Sequence, residues 1–238
     1  MTIQIGLLGN DGILLAGDTR CTNNPPLYEV HRGLRVGYNA TKIISSHEQK
    51  IAIACARNLE TARHIANEII SSSMTEEEWL SPILRIEEIG ARVLAKADGR
   101  NDAHCLIAKM GAQPRLFLFM YATVNGEPGK PLCEEITTNA VAGDNMNAAI
   151  FWVDRYYEKK PIRSLIPMAA QFVVMAGKLN SGVINGLEMV LCDANGVHRL
   201  SAESIATLER QADEWDKKIS ELFSAYSQQF TYAQDVIR

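Results

Sequence analysis

The opening stretch, Thr2-Ile-Gln-Ile-Gly-Leu-Leu-Gly-Asn-Asp-Gly-Ile-Leu-Leu-Ala-Gly-Asp18-Thr19-Arg20, constrains the fold more than any other part of the chain. Two apolar runs, Ile3 to Leu8 and Ile13 to Ala16, flank Asn10-Asp11-Gly12. Asp and Gly tolerate the positive φ that tight hairpin turns need, so the stretch reads as an antiparallel hairpin. Gly6, Gly9 and Gly12 also suggest a dinucleotide fingerprint, but that motif needs a helix whose N-terminus faces a pyrophosphate. Ile13-Leu14-Leu15-Ala16 is better suited to a returning strand, and no cofactor is expected. Removal of Met1 would leave Thr2 with a hydroxyl nucleophile and an amine base on one residue.

A length of 238 residues suits one sizeable domain. Hydrophobic residues at 47% and charged residues at 22% describe an ordinary globular protein. The net charge of −4 gives no case for a nucleic-acid surface. No apolar run approaches a membrane span, and the residues around Met1 lack the basic flank of a signal peptide. A cytoplasmic protein without a membrane partner is expected, with nothing but Met1 ahead of Thr2. The five cysteines (21, 55, 105, 133 and 192) are odd in number and lack a Cys-x-x-Cys pair, which fits buried thiols in a reducing compartment. The histidines show no zinc-ligand spacing, and no metal is expected. Adjacent His104 and Cys105 would point to opposite faces of a strand, as a core thiol and a scattered histidine.

Along the chain, Cys21 to Gly33 reads as a loop around Asn-Asn-Pro-Pro, which the pattern alone makes a surface insertion between strands. Lys42 to Ser46 and Lys50 to Ala56 form a second strand pair. From Asn58 the period changes, with Leu59, Ala62, Ile65, Ala66, Ile69 and Ile70 on one helical face. Thr75-Glu-Glu-Glu resembles an N-cap opening a helix towards Ala97, with Pro82 either dividing that segment or marking its start. Strands follow at 104–110, 115–121 and Glu134 to Val141, then helices to about Tyr157 and about Gly177. Two strands joined by Asp193-Ala-Asn-Gly196 come last. The pattern alone predicts an α+β fold. A terminal helix from Ala202 carries a narrow seam of Ile205, Leu208, Ala212, Trp215, Ile219, Leu222 and Tyr226, which suits packing on the domain or on a neighbouring subunit. The expected division is a domain at 1–201 and a helical extension at 202–238.

Thr2, the hairpin, Asp18 and Arg20 at its end, and Lys42 on a later strand together resemble the N-terminus of proteasome β-type subunits, which are N-terminal-nucleophile hydrolases. A further resemblance is to the minimal bacterial proteasome homologues: Anbu, HslV-like proteins and the betaproteobacterial proteasome homologues. The resemblance covers most of the chain and is sharp in its first sixty residues. It implies a four-layer αββα sandwich with an extended C-terminal helix. It also implies that Thr2 attacks a peptide carbonyl while Lys42, held by Asp18, lowers the pKa of hydroxyl and amine. The backbone N–H of Ala56 becomes the oxyanion donor, and Cys21, Ala54 and Asn58 fall at the substrate pocket. Asp144 stands where the family has a supporting serine, and either takes over that contact or caps a helix. Ser181 matches the family's later serine. Two departures stand out: Arg57 occupies the place of a usual glycine, and Lys178 that of an aspartate.

The implied activity is that of a threonine-type endopeptidase in a ring or double ring of identical subunits, fed by a possible ATP-driven unfoldase. Arg57 and Lys178 leave open an inactive scaffold of the same fold. A small-amide hydrolase is the third reading.

Overall fold

The computed structural model describes residues 2–22, 37–96, 102–124, 127–143, 148–180 and 183–229. Met1, residues 23–36 with most of the expected loop, Ala97, Asp144, Ser181 and the chain beyond 229 lie outside the described residues. The opening hairpin forms as its sequence predicts: β1 (Ile3–Leu8) and β2 (Gly12–Gly17) pair antiparallel, Ile5 opposite Ala16 and Leu7 opposite Leu14. The N–H of Gly9 donates to the carbonyl of Gly12 at 2.8 Å and closes the turn. No residue of that turn has a positive φ, contrary to expectation. Crowding is what requires glycine. A Cβ on Gly9 would lie 2.4 Å from the Ile162 side chain, and one on Gly12 would lie 2.5 Å from the carbonyl oxygen of Cys192.

Two five-stranded antiparallel sheets carry the fold. The first contains β1, β2, β12 (Asn139–Gly143), β13 (Glu188–Asp193) and β14 (Gly196–Arg199), in the order β12-β1-β2-β13-β14. The second contains β5 (Ile43–Ser46), β6 (Ile51–Arg57), β7 (Ala103–Met110), β8 (Pro114–Tyr121) and β11 (Leu132–Ile136), in the order β11-β8-β7-β6-β5. Short ribbons join β3 (Arg20–Thr22) to β4 (Gly37–Asn39), and β9 (Thr123–Val124) to β10 (Glu127–Pro128). The helices are α1 (Leu59–Ser71), α2 (Ile83–Lys96), α3 (Ala148–Tyr156), α4 (Ile162–Leu179) and α5 (Ala202–Gln229).

Strand periodicity sorts the side chains into three apolar clusters. Leu8, Ile13, Leu15, Val190 and Cys192 of the first sheet meet Ala52, Ala54, Leu106 and Leu116 of the second. On the other face of the first sheet, Ile3, Ile5, Leu7, Leu14 and Ala16 pack against Leu165, Ala169 and Val173 of α4. On the other face of the second, Ile53, Cys55, Ile107 and Phe117 meet Ile65 and Ile69 of α1 with Ile86 and Ile89 of α2. The result is a mixed α/β fold with antiparallel sheets.

Three expectations need correcting. Glu134 to Val141 is two strands, because Thr137 and Thr138 turn the chain from β11 in the second sheet to β12 in the first. Thr75 caps only a single 3₁₀ turn at Glu78–Leu80: its N–H donates to Glu78 Oε2 at 2.7 Å, and its Oγ1 accepts the Glu78 N–H at 3.2 Å. Of the two expectations for Pro82, the second holds, since the long helix starts at Ile83 directly after it. Finally, α4 has the length and mean hydropathy (1.2) of a membrane span. Its Leu165, Ala169, Val173 and Ala176 are buried in the core against the first sheet, so it behaves as a core helix.

The terminal helix packs on α4 through the first half of its seam, where Leu208 and Ala212 are buried. Trp215, Ile219 and Leu222 further along are 42%, 48% and 58% exposed.

Candidate active site

The site lies at one end of the two stacked sheets, where β1 and β5 begin and β2 and β6 end. Thr2 precedes β1, Asp18 follows β2, and Lys42 leads into β5 on the opposing sheet. Lys42 is 1% exposed and Asp18 is fully buried. The Lys42 Nζ donates to Thr2 Oγ1 at 3.1 Å, to Asp18 Oδ2 at 2.9 Å and to the carbonyl of Arg20 at 2.5 Å. An ammonium has three donors, and these contacts use all of them. The second oxygen of Asp18 accepts the Ile3 N–H at 2.9 Å, so one carboxylate fixes both the lysine and the start of β1. Burial pushes the Asp18 carboxyl upward, while Lys42 and the Ile3 N–H oppose that shift.

Gly143, at the end of β12, explains why the chain can bring Thr2 to this place. Its φ is +117°, and a Cβ there would fall 2.0 Å from the carbonyl oxygen of Thr2. Only glycine allows the approach.

Ala56 is the last inward residue of β6, next to Arg57, whose φ is +69°. A non-glycine residue is strained there, and this is the position where the resembled family has a glycine. Ala54 is buried between the sheets, opposite Ile43. Cys21 is buried in β3, and burial pushes its thiol upward. Asn58 caps α1, its Oδ1 accepting the Thr61 N–H at 2.9 Å. Asp144 and Ser181 lie outside the described residues. Lys178 points elsewhere: its Nζ pairs with Asp213 at 2.9 Å and Asp216 at 2.7 Å, tying α4 to α5.

Two features escaped the sequence reading. His104 lies opposite Ala56 on β7, and its Nδ1 accepts the Gly143 N–H at 3.4 Å. Burial, then the nearby Arg57 charge, pushes its pKa down to about 4. Its ring is neutral at pH 7, with the proton assigned to Nε2 by that contact. Glu188 opens β13 and reaches the Lys42 main chain, with Arg199 beside it. A carboxylate on the same strand face as apolar Val190 and Cys192 was the available signal, since an inward Glu is rare unless paired.

Among the described residues, no cluster of three or more His, Cys, Asp or Glu could hold a metal ion. The arrangement can orient a hydroxyl beside a positive charge.

No protein-family model matches the chain, and no curated protein matches it in sequence. Solved structures do match it. A mutant of Anbu from Hyphomicrobium sp. strain MC1 aligns with a TM-score of 0.65 at 16% identity, covering 94% of this chain and 97% of that one. Anbu from Yersinia bercovieri, described as an ancestral β-subunit, gives 0.64 at 14% identity, covering 93% and 96%. A second Anbu structure from the Hyphomicrobium strain gives 0.62 at 15% identity, covering 93% and 97%. The chain has the Anbu fold. Identities this low speak for the fold alone.

Proposed function

We propose that this chain is a threonine-type N-terminal-nucleophile hydrolase of the proteasome β-type family, similar to the minimal bacterial homologues, with the αββα layering of that family. The observation that carries the reading is Lys42 Nζ, 3.1 Å from Thr2 Oγ1 and 2.9 Å from Asp18 Oδ2 in a buried setting. A hydroxyl is a weak nucleophile until a base takes its proton. Cleavage of Met1 would free the Thr2 amine, whose reference pKa of about 7.7–8.0 suits that role near neutral pH. Thr2 Oγ1 would then attack a peptide carbonyl with the Ala56 N–H facing the oxyanion. The proton taken by the Thr2 amine would pass to the departing peptide amine as the C–N bond breaks, and water would hydrolyse the resulting ester to restore the hydroxyl. Asp144 and Ser181 would support the amine, and Cys21, Ala54 and Asn58 would border the substrate.

By the same reading the subunits assemble into stacked rings in the cytoplasm, with unfolded polypeptide as substrate and an ATP-driven unfoldase as feeder. The test is hydrolysis of a mixed peptide library by wild type and Thr2→Ala. Loss of cleavage in the variant supports the reading, and equal cleavage ends it.

One observation favours a scaffold without activity: Lys178, in the family's aspartate position, is engaged with α5 rather than with the site. Wild-type protein that assembles and cleaves nothing would select that reading.

A further inference from the structure

We propose that Glu188, anchored by Arg199, is a positioning residue that sets Lys42 against Thr2. The inference rests on the reading of Thr2 as the nucleophile. Thr2 and Asp18 belong to the first sheet, whereas Lys42 enters the second. Stacked sheets meet through side chains, not through a shared ladder of main-chain bonds. The approach of Lys42 to Thr2 therefore depends on what ties the two sheets together at this end.

Glu188 makes that tie. It opens β13 in the first sheet and is 7% exposed. Its Oε1 accepts the N–H of Lys42 at 2.5 Å and the N–H of Ile43 at 3.1 Å, both at the start of β5. Its Oε2 accepts Arg199 Nη1 at 2.8 Å, and Arg199 Nη2 donates to the carbonyl of Ile43 at 2.6 Å. The carboxylate and guanidinium thus hold the Lys42 amide and both main-chain polar groups of Ile43. The Lys42 side chain extends from that fixed point to Asp18 and Thr2. An apolar residue at 188 would fill the same space without the desolvation cost of a carboxylate, but it would leave two buried amides without these acceptor bonds. Glu188 does not contact Thr2. It acts through the backbone of Lys42.

The test compares wild type with Glu188→Ala, Glu188→Gln and Arg199→Ala. Each is treated with a β-lactone that acylates hydroxyl nucleophiles, and the rate of adduct formation at Thr2 is read by mass. Displacing a catalytic group by about 1 Å can cost about 100-fold in rate, so Glu188→Ala should lose roughly that much. The loss should fall on the maximal labelling rate while the half-saturating concentration stays unchanged, because the clamp touches no substrate. Glu188→Gln keeps one acceptor oxygen and should recover part of the rate.

Crystal structures of the variants supply the second readout, the distance from Lys42 Nζ to Thr2 Oγ1, which is independent of activity. A lengthened contact with slowed labelling supports the proposal. Full-rate labelling with the contact intact overturns it. If wild type takes no label, the hydrolase reading fails, and the distance alone decides whether the clamp exists. If Glu188→Ala does not fold, Glu188→Gln and Arg199→Ala carry the same two readouts.

Discussion

Lys42 and Asp18 form a buried ion pair, 2.9 Å apart, in which each partner compensates the other's desolvation. Removing one partner leaves the other charge buried and uncompensated, at a cost of about 3–5 kcal/mol. Lys42→Ala should therefore lower unfolding free energy by roughly that amount in a denaturant titration, as well as abolishing reaction at Thr2. A loss under about 1 kcal/mol would mean that the pair is not buried in solution. His104 gives a pH dependence of opposite origin. Its folded pKa of about 4 lies below the unfolded reference of about 6.5, so the unfolded chain binds the extra proton between those values. Stability is unaffected by this group above about pH 6.5 and falls as pH drops towards 4, by about 3 kcal/mol in all. Denaturant titrations of His104→Gln should show a shallower loss over that window. An unchanged slope would refute the assignment.

At this scale the meeting of Thr2, Asp18 and Lys42 was legible only in part: Thr2 and Asp18 flank the hairpin, whereas Lys42, beyond an inserted loop, was found through the family resemblance. Glu188 was not, since its partners are main-chain groups 146 residues away in sequence. His104 was read as incidental because the amide it meets belongs to Gly143, in the other sheet.

The elements were mostly readable from periodicity, and the misreadings have physical causes. Thr137 and Thr138 are β-branched and favour strands, yet they turn the chain between sheets; no glycine or proline marks the place. The glycines of the first turn were correctly taken as turn residues but for the wrong reason, since α4 and β13 crowd them. In the terminal helix the seam runs on unbroken past Ala212 to the exposed Trp215, Ile219 and Leu222, so periodicity alone did not show where its packing stops. The junction of α4 and α5 rests on Leu208 and Ala212 in the core and on Lys178 with Asp213 and Asp216 at the surface. Leu208→Ala should cost about 2 kcal/mol through lost burial and a cavity, whereas Lys178→Ala should cost about 1 kcal/mol or less, as exposed pairs do. Amide exchange along α5 would check both: it should rise strongly for Leu208→Ala and weakly for Lys178→Ala. The reverse order would place the junction's stability in the ion pairs.

For the molecule as a whole, the antiparallel sheets and their helices place one sheet's hydroxyl within reach of the other sheet's lysine. The proposed ring makes a separate claim, checked by light scattering at micromolar concentration: an assembly of many subunits is expected, and a monomer would remove the compartment from the account. The central claim is that Thr2 is an N-terminal nucleophile served by Lys42. Intact mass of protein purified from cells, before and after exposure to a β-lactone, tests it most directly. The expected result is loss of one methionine and one adduct mapping to Thr2, absent from Lys42→Ala. Retained Met1 with no adduct in the wild type would contradict it, leaving the amine capped and the fold without this chemistry.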